Sequence, residues 1–66
     1  MTVRELTNNM WYSQKISIVD DRNKEVKMEG MNYQLRSVVN NDLIKREVVS
    51  FGVNEDGIIQ INVKYD

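Results

Sequence analysis

The chain has 66 residues, and its nine basic and ten acidic side chains give a formal net charge of −1 at pH 7. A chain of this length has room for one core, and such a domain buries roughly 60% of the surface that its unfolded chain exposes. The absence of Cys and His excludes disulfides, zinc sites built on these residues, and thiol or imidazole catalysis. We therefore expect a single domain over residues 1–66 that is not an enzyme and uses no cofactor or metal.

Small domains usually gain stability from disulfides, a metal or a partner subunit. Because this chain lacks Cys and His, self-association is the remaining means, and we expect a homo-oligomer. No apolar run approaches the roughly 18 residues that span a bilayer, and residues 1–5 lack the apolar segment of a signal peptide. These features favour a soluble, cytoplasmic protein without membrane association.

The first predicted element is a short helix. Thr2 and Glu5 have the spacing of a capping box, in which each side chain bonds the other residue's backbone N–H. Apolar residues at positions 3, 6 and 10 fall on one helical face. Two asparagines follow, which have low helix propensity, so the helix is expected to end within Met10–Tyr12.

A β-hairpin is predicted next, over residues 14–29. Apolar and polar residues alternate at 14–19 and again at 25–29, which is the period of a half-buried strand. Asp20–Asn23 supplies the turn, because Asp and Asn side chains bond nearby backbone and tolerate left-handed geometry. This alternation is expected to put Lys27 on the face of Glu29 and opposite Val26 and Met28.

The middle of the chain, residues 31–39, fits either a strand or a helical turn, and we favour irregular or short helical structure. Asn40 or Asn41 would cap a short turn that carries Leu43 and Ile44. The last third predicts a second hairpin: residues 49–53 and 59–65 alternate around Asn54–Gly57. Together these elements predict an α+β fold, with the short N-terminal helix packed on an antiparallel sheet of about four strands.

Four carboxylates, those of Asp20, Asp21, Glu25 and Glu29, are the residues best suited to hold Mg²⁺, since carboxylate oxygens are the ligands this ion takes from proteins. Two of them lie in the predicted turn and the others alternate with lysines. This pattern is typical of a solvated turn followed by a polar strand face. We favour that interpretation over a metal site.

Trp11, Tyr12 and Tyr33 are candidate interface residues, because Trp and Tyr are frequent anchors of protein interfaces. A structural interpretation is also open for Trp11, which would close the core where the helix meets the first strand. We favour the core interpretation, and the two agree if a second subunit completes the core.

The basic residues supply candidate nucleic-acid contacts. A polar sheet face that carries bases beside Tyr12 or Tyr33 would contact phosphates and stack on bases. The alternative is a mixed-charge solvent face, which the interspersed acidic residues favour. The candidate contacts are Lys15, Lys24, Lys27, Arg36, Lys45 and Arg46.

Four pieces of the chain carry a resemblance: Thr2–Leu6, Ile16–Asp20, Leu43–Ser50 and Asn54–Gly57, the last leading into a closing apolar strand. With these pieces the chain resembles a type of small uncharacterised protein found in phages, prophages and mobile elements of Firmicutes. Those proteins often read Leu-Asp-Arg-Glu-Val in the third piece, where Lys45 here replaces the Asp. The shared motifs are a cap, strands and a turn, and no catalytic residue is carried over.

The resemblance implies a context. Small proteins of such elements include anti-defence factors, among them anti-CRISPR proteins, which bind and modulate a host machine. Others are small sheet-rich oligomers that bind DNA and are similar to the PC4-like fold. We therefore predict a non-catalytic accessory protein of the anti-CRISPR type, acting on a host protein complex in the bacterial cytoplasm. The alternatives are an oligomeric PC4-like nucleic-acid-binding module that uses a polar sheet face, and a structural subunit of a virion or conjugation apparatus.

Overall fold

The computed structural model describes residues 1–36 and 42–65 and shows an α+β fold that is mostly sheet. One short α-helix and two short 3-10 turns accompany a four-stranded mixed sheet within the described residues. The elements are α1 (Val3–Thr7), β1 (Lys15–Asp20), β2 (Val26–Met31), a first 3-10 turn (Asn32–Arg36), a second 3-10 turn (Leu43–Lys45), β3 (Val48–Val53) and β4 (Ile59–Val63).

Helix α1 begins at the predicted capping box. The Thr2 hydroxyl oxygen accepts the backbone N–H of Glu5 at 3.3 Å, and the Glu5 carboxylate accepts the backbone N–H of Thr2 at 3.0 Å. The helix ends at Thr7, earlier than the expected Met10–Tyr12. The backbone N–H of Met10 donates to the carbonyl oxygen of Thr7 at 3.1 Å, three residues back, so the chain has already tightened into a turn there.

The sheet consists of two hairpins side by side, in the strand order β2-β1-β4-β3. Both predicted hairpins are confirmed, since β1 pairs with β2 and β3 pairs with β4 in antiparallel fashion. The prediction of a purely antiparallel sheet is wrong, because the central strands β1 and β4 run parallel. Parallel neighbours require a crossover connection. The connection between β2 and β3 fulfils this requirement, and we call its described residues, 32–36 and 42–47, the crossing segment.

The register of β2 corrects the predicted placement of Lys27. Met28 pairs with Ile18, but Val26 pairs with Val19, so one residue is extra in β2 at Lys27. Such a β-bulge breaks the simple alternation of side chains. The alternation had predicted that Val26 and Met28 share a face. In the structure they lie on opposite faces, because they pair with the adjacent residues Val19 and Ile18. The ammonium nitrogen of Lys27 instead lies 4.4 Å from the ring centroid of Tyr65.

The core is formed by residues of the two central strands, of the two 3-10 turns and by Val3 of α1. Leu35 and Leu43 from the two 3-10 turns join buried residues of the sheet, which confirms the expected short helical structure at these positions. The predicted alternatives for positions 37–39, and the predicted caps Asn40 and Asn41, lie outside the described residues. The buried cluster is formed by Val3, Ile16, Ile18, Leu35, Leu43, Ile61 and Val63.

The turn between β3 and β4 has the predicted chemistry. The side-chain oxygen of Asn54 accepts the backbone N–H groups of Asp56 at 2.9 Å and Ile58 at 3.1 Å. Gly57 has a φ of 76°, in the left-handed region that favours glycine. This turn therefore forms from local contacts and fixes the register of the second hairpin.

Candidate protein-interaction surface

Three large aromatic side chains stand in solvent on neighbouring segments. Trp11 is 83% exposed, Tyr12 74% and Tyr33 56%. The favoured interpretation of Trp11 as a core residue is wrong. The buried cluster includes Leu35 and Leu43 from the two 3-10 turns and does not include Trp11.

Asn32 fixes the loop that carries Trp11 and Tyr12. Its side chain is buried, and its amide nitrogen Nδ2 lies 3.1, 3.3 and 3.2 Å from the carbonyl oxygens of Thr7, Met10 and Trp11. The carbonyl oxygens of Thr7 and Trp11 also accept backbone N–H groups, so Nδ2 is a second donor to them. One side chain of the first 3-10 turn thus contacts three carbonyl groups of the loop.

Backbone hydrogen bonds fix the same junction. The N–H of Tyr33 donates to the carbonyl oxygen of Tyr12 at 3.0 Å, and the N–H of Asn32 donates to that of Gln14 at 2.8 Å. The N–H of Gln14 in turn donates to the carbonyl oxygen of Trp11 at 3.1 Å. The backbones beneath Tyr12 and Tyr33 are therefore joined directly, although their side chains remain exposed.

Arg36 completes this surface. A shallow cleft of about 350 Å³ is lined by Met10, Trp11, Tyr12 and Arg36 among others. The guanidinium of Arg36 donates to Oδ1 of Asn8 at 2.8 Å. We call the set of Trp11, Tyr12 and Arg36 the aromatic surface. The side chain of Tyr33 lines a different cleft, with Lys15 and Gly30. Trp, Tyr and Arg are the residue types most enriched at energetic hot spots of protein interfaces.

Reasoning from sequence missed the role of Asn32. The residue lies in the segment with the least periodic pattern, and its three carbonyl partners are 21 to 25 positions away. No local motif marks such a contact. Arg36 was predicted as a nucleic-acid contact on a polar sheet face beside Tyr12 or Tyr33. It lies in the first 3-10 turn, in the cleft lined by Trp11 and Tyr12.

The predicted nucleic-acid contacts do not gather into one stripe. Lys24, Lys27 and Arg46 each lie beside a carboxylate, at 3.4, 3.2 and 2.8 Å. Lys27 and Arg46 meet at the Tyr65 ring, where the Arg46 guanidinium carbon lies 4.2 Å from the centroid. Lys15 and Lys45 are exposed at separate places, the start of β1 and the second 3-10 turn.

The polar face of the sheet carries amides and hydroxyls at its centre. Nε2 of Gln60 donates to Oδ1 of Asn62 at 3.0 Å, and Nδ2 of Asn62 donates to Oγ of Ser50 at 2.9 Å. Ser17 pairs with Gln60 in β4 and with Glu29 in β2, so these residues share that face. The face therefore presents a row of hydrogen-bonded polar side chains next to the carboxylate of Glu29.

The carboxylates considered for Mg²⁺ have other partners or are spread apart. The buried Oδ1 of Asp20 accepts the backbone N–H of Arg22 at 3.0 Å, and Asp21 and Glu25 lie beside Lys24 and Lys27. Among residues 1–36 and 42–65, no three Asp, Glu, His or Cys side chains come together as a metal site would require.

Comparison of the chain with family models, curated proteins and solved structures gave no match in any of the three. In the described part of the chain, no helix has the length and apolar character needed to cross a membrane. The aromatic surface is the feature of the described residues best suited to binding, since it combines exposed anchors with a fixed backbone.

Proposed function

We propose that this chain is a non-catalytic accessory protein of a phage or mobile element that binds and modulates a host protein complex. It acts in the cytoplasm of the bacterial host, and the aromatic surface is its binding site. The observation that carries the proposal is the exposure of Trp11 and Tyr12, at 83% and 74%. Side chains of this size are costly to leave in water and gain much when a partner covers them.

The way the surface is held supports tight binding. The Asn32 amide and the Tyr33 backbone N–H fix the loop before any partner arrives. A pre-ordered loop loses little conformational entropy on binding, so more of the contact energy appears as affinity. The partner chemistry that fits is an apolar protein pocket for the aromatic rings, with oxygen acceptors at its rim for Arg36.

The anti-CRISPR form of the proposal is tested by plasmid protection. The protein is expressed together with a targeting nuclease, and surviving plasmid is counted for the wild type, Trp11→Ala and Val26→Ala. The last is a matched control, because Val26 is also exposed, at 51%, but lies on β2. We expect protection by the wild type and the control, and its loss with Trp11→Ala, whose fold is checked by circular dichroism.

No protection against several nuclease types would remove the anti-CRISPR form. Binding to other host complexes is then tested by capture with the wild type and loss of the captured partner with Trp11→Ala. Equal protection or equal capture by Trp11→Ala and the wild type would contradict the assignment of the aromatic surface.

Self-association is part of the proposed function. The core of the described residues consists of seven side chains, and a domain of this size is marginally stable as a monomer. We propose that the active form is a homo-oligomer, which also presents several copies of the aromatic surface to a partner. Light scattering coupled to size-exclusion chromatography measures the mass directly.

The alternative, a PC4-like module that binds nucleic acid through the polar sheet face, has less support. Lys15 and Glu29 lie toward one side of that face, and several other bases lie beside carboxylates. Phosphate contacts give binding that weakens steeply with salt. A mobility shift of single- or double-stranded DNA at low salt, lost as salt rises, would favour this alternative over the first proposal. The absence of any shift at low salt would rule it out.

A further inference from the structure

The two edges of the sheet differ in how they are protected. Strand β3 forms one edge, and none of its residues, Val48–Val53, is charged. Strand β2 forms the other edge and carries Lys27 and Glu29. Proteins commonly place charges on edge strands to prevent pairing with other chains. At the start of β3, the N–H of Val48 donates to the carbonyl oxygen of Met1 at 2.8 Å. Beyond Val48 the β3 edge lacks protective charges, while the β2 edge has them.

The backbone of β3 leaves hydrogen-bonding groups pointing away from the sheet. The N–H of Asn54 donates to the carbonyl oxygen of Ile58 at 2.9 Å, so the backbone of Asn54 faces β4. Backbone groups alternate in direction along an antiparallel strand. Those of Phe51 and Val53 therefore point outward, where no other described strand pairs with them.

The side chains of the same two residues are apolar and exposed. Phe51 is 51% exposed and Val53 69%. They pair with Ile61 and Ile59, which places them on the core face of the sheet. A strand added beside β3 would cover them and would extend the apolar face of the sheet.

We infer that β3 pairs with β3 of a second copy of this chain in antiparallel fashion, forming a continuous eight-stranded sheet. This inference rests on the self-association part of the proposed function. Charge favours the antiparallel direction: Lys45, Arg46 and Glu47 precede β3 with one positive charge in excess, and the acidic Glu55 and Asp56 follow it. Antiparallel pairing brings the basic end of one copy to the acidic end of the other, whereas parallel pairing would bring like charges together. With two-fold symmetry, the outward backbone groups of β3 in each copy bond the same groups in the other copy.

The mass in solution tests the inference with a matched pair of substitutions. Val53→Lys puts a charge on the β3 edge, and Val26→Lys makes the same change on the β2 edge, where Val26 is also exposed. We expect a dimer for the wild type and for Val26→Lys, and a monomer with an unchanged circular dichroism spectrum for Val53→Lys at the same concentration.

Hydrogen exchange of the wild type provides a measurement that does not depend on a variant. In the paired dimer, the amides of Phe51 and Val53 exchange slowly, and their protection falls as dilution produces monomer. The inference would be overturned if Val53→Lys remained a dimer. It would also be overturned if the amides of Phe51 and Val53 exchanged in the wild-type dimer as fast as in an unfolded chain. In both cases self-association itself would stand. A monomeric wild type would overturn both, and it would leave the β3 edge open to a strand of another protein. Neither outcome affects the plasmid-protection test of the aromatic surface.

Discussion

The side-chain nitrogen Nδ2 of Asn32 lies 3.1 Å from the carbonyl oxygen of Thr7, although 25 positions separate the two residues. This contact joins the end of α1 to the first 3-10 turn, and the aromatic surface lies around the junction. Asn32 therefore links the stability of the fold to the proposed binding site, because the same amide contacts the end of α1 and the loop of Trp11.

Replacing Asn32 with Ala removes the donor shared by three carbonyl oxygens. We expect the free energy of unfolding to fall by about 1–3 kcal/mol, because three carbonyl groups lose a buried donor and those of Thr7 and Trp11 keep only their backbone donors. Asn9→Ala is the matched control, since the Asn9 amide donates to one exposed carbonyl, that of Glu5. Denaturant titration measures both variants. An equal, small effect for the two would show that the Asn32 contacts do not hold the junction.

Leu35 is fully buried and comes from the crossing segment. Leu35→Ala is expected to reduce the free energy of unfolding by about 2–5 kcal/mol, because it removes buried methyl groups and leaves a cavity. Leu35→Met keeps the volume and should cost less than about 1.5 kcal/mol. Thermal and denaturant unfolding measure the difference. Similar values for the two variants would mean that the crossing segment is not packed on the core.

Gly57 and Gly52 form a pair that isolates a backbone effect. A Cβ at either position meets no atom within 4 Å, but only Gly57 has a positive φ, 76°. Gly57→Ala is therefore expected to destabilise the protein by about 1–2 kcal/mol, while Gly52→Ala should cause no loss. Unfolding curves recorded side by side distinguish them. A loss of stability in Gly52→Ala equal to that in Gly57→Ala would contradict the assigned turn geometry.

The carboxylate of Glu5 makes a pH-dependent contribution to the stability of the folded protein. The backbone N–H and the hydroxyl of Thr2 hold the pKa of Glu5 below its ordinary value. A lowered pKa in the folded state stabilises the protein above the unfolded pKa of glutamate, and this stabilisation is lost as pH falls through the folded pKa. We expect the melting temperature of the wild type to exceed that of Glu5→Gln near neutral pH.

The difference in melting temperature between the wild type and Glu5→Gln should shrink under acidic conditions and disappear once Glu5 is protonated. Glu29→Gln, measured in parallel, accounts for the loss of one negative charge elsewhere on the surface. A difference that stays constant from neutral to acidic pH would show that the carboxylate charge at the capping box is not its source.

Parts of the fold that depend on near neighbours were predictable. The capping box needs only Thr2 and Glu5, three positions apart, and both hairpins follow from alternation on either side of a turn. The positive φ of Gly57 is a property of a four-residue turn. In each case the chain segment contains all the groups that form the contact, so its sequence is sufficient to predict it.

The aromatic surface was predictable in part. Trp11, Tyr12 and Tyr33 were predicted as candidate interface residues from their chemistry. The exposure of Trp11 was not predicted, because it depends on which distant residues form the core. In the structure α1 ends at Thr7, the buried cluster includes Leu35 and Leu43, and Trp11 is exposed. The periodicity of one segment contains no information on which residues of other segments fill the core.

The sequence alone determined two hairpins, a capped helix and their turns. Only the tertiary structure decided that β1 and β4 run parallel, that Lys27 forms a bulge, and that Asn32 holds the loop of Trp11. The physical reason is separation along the chain: Nε2 of Gln14, for example, donates to the carbonyl oxygen of Gly57 at 2.9 Å across 43 positions. Contacts of this kind form only when the hairpins and the crossing segment pack together, and no local pattern encodes which pairs meet.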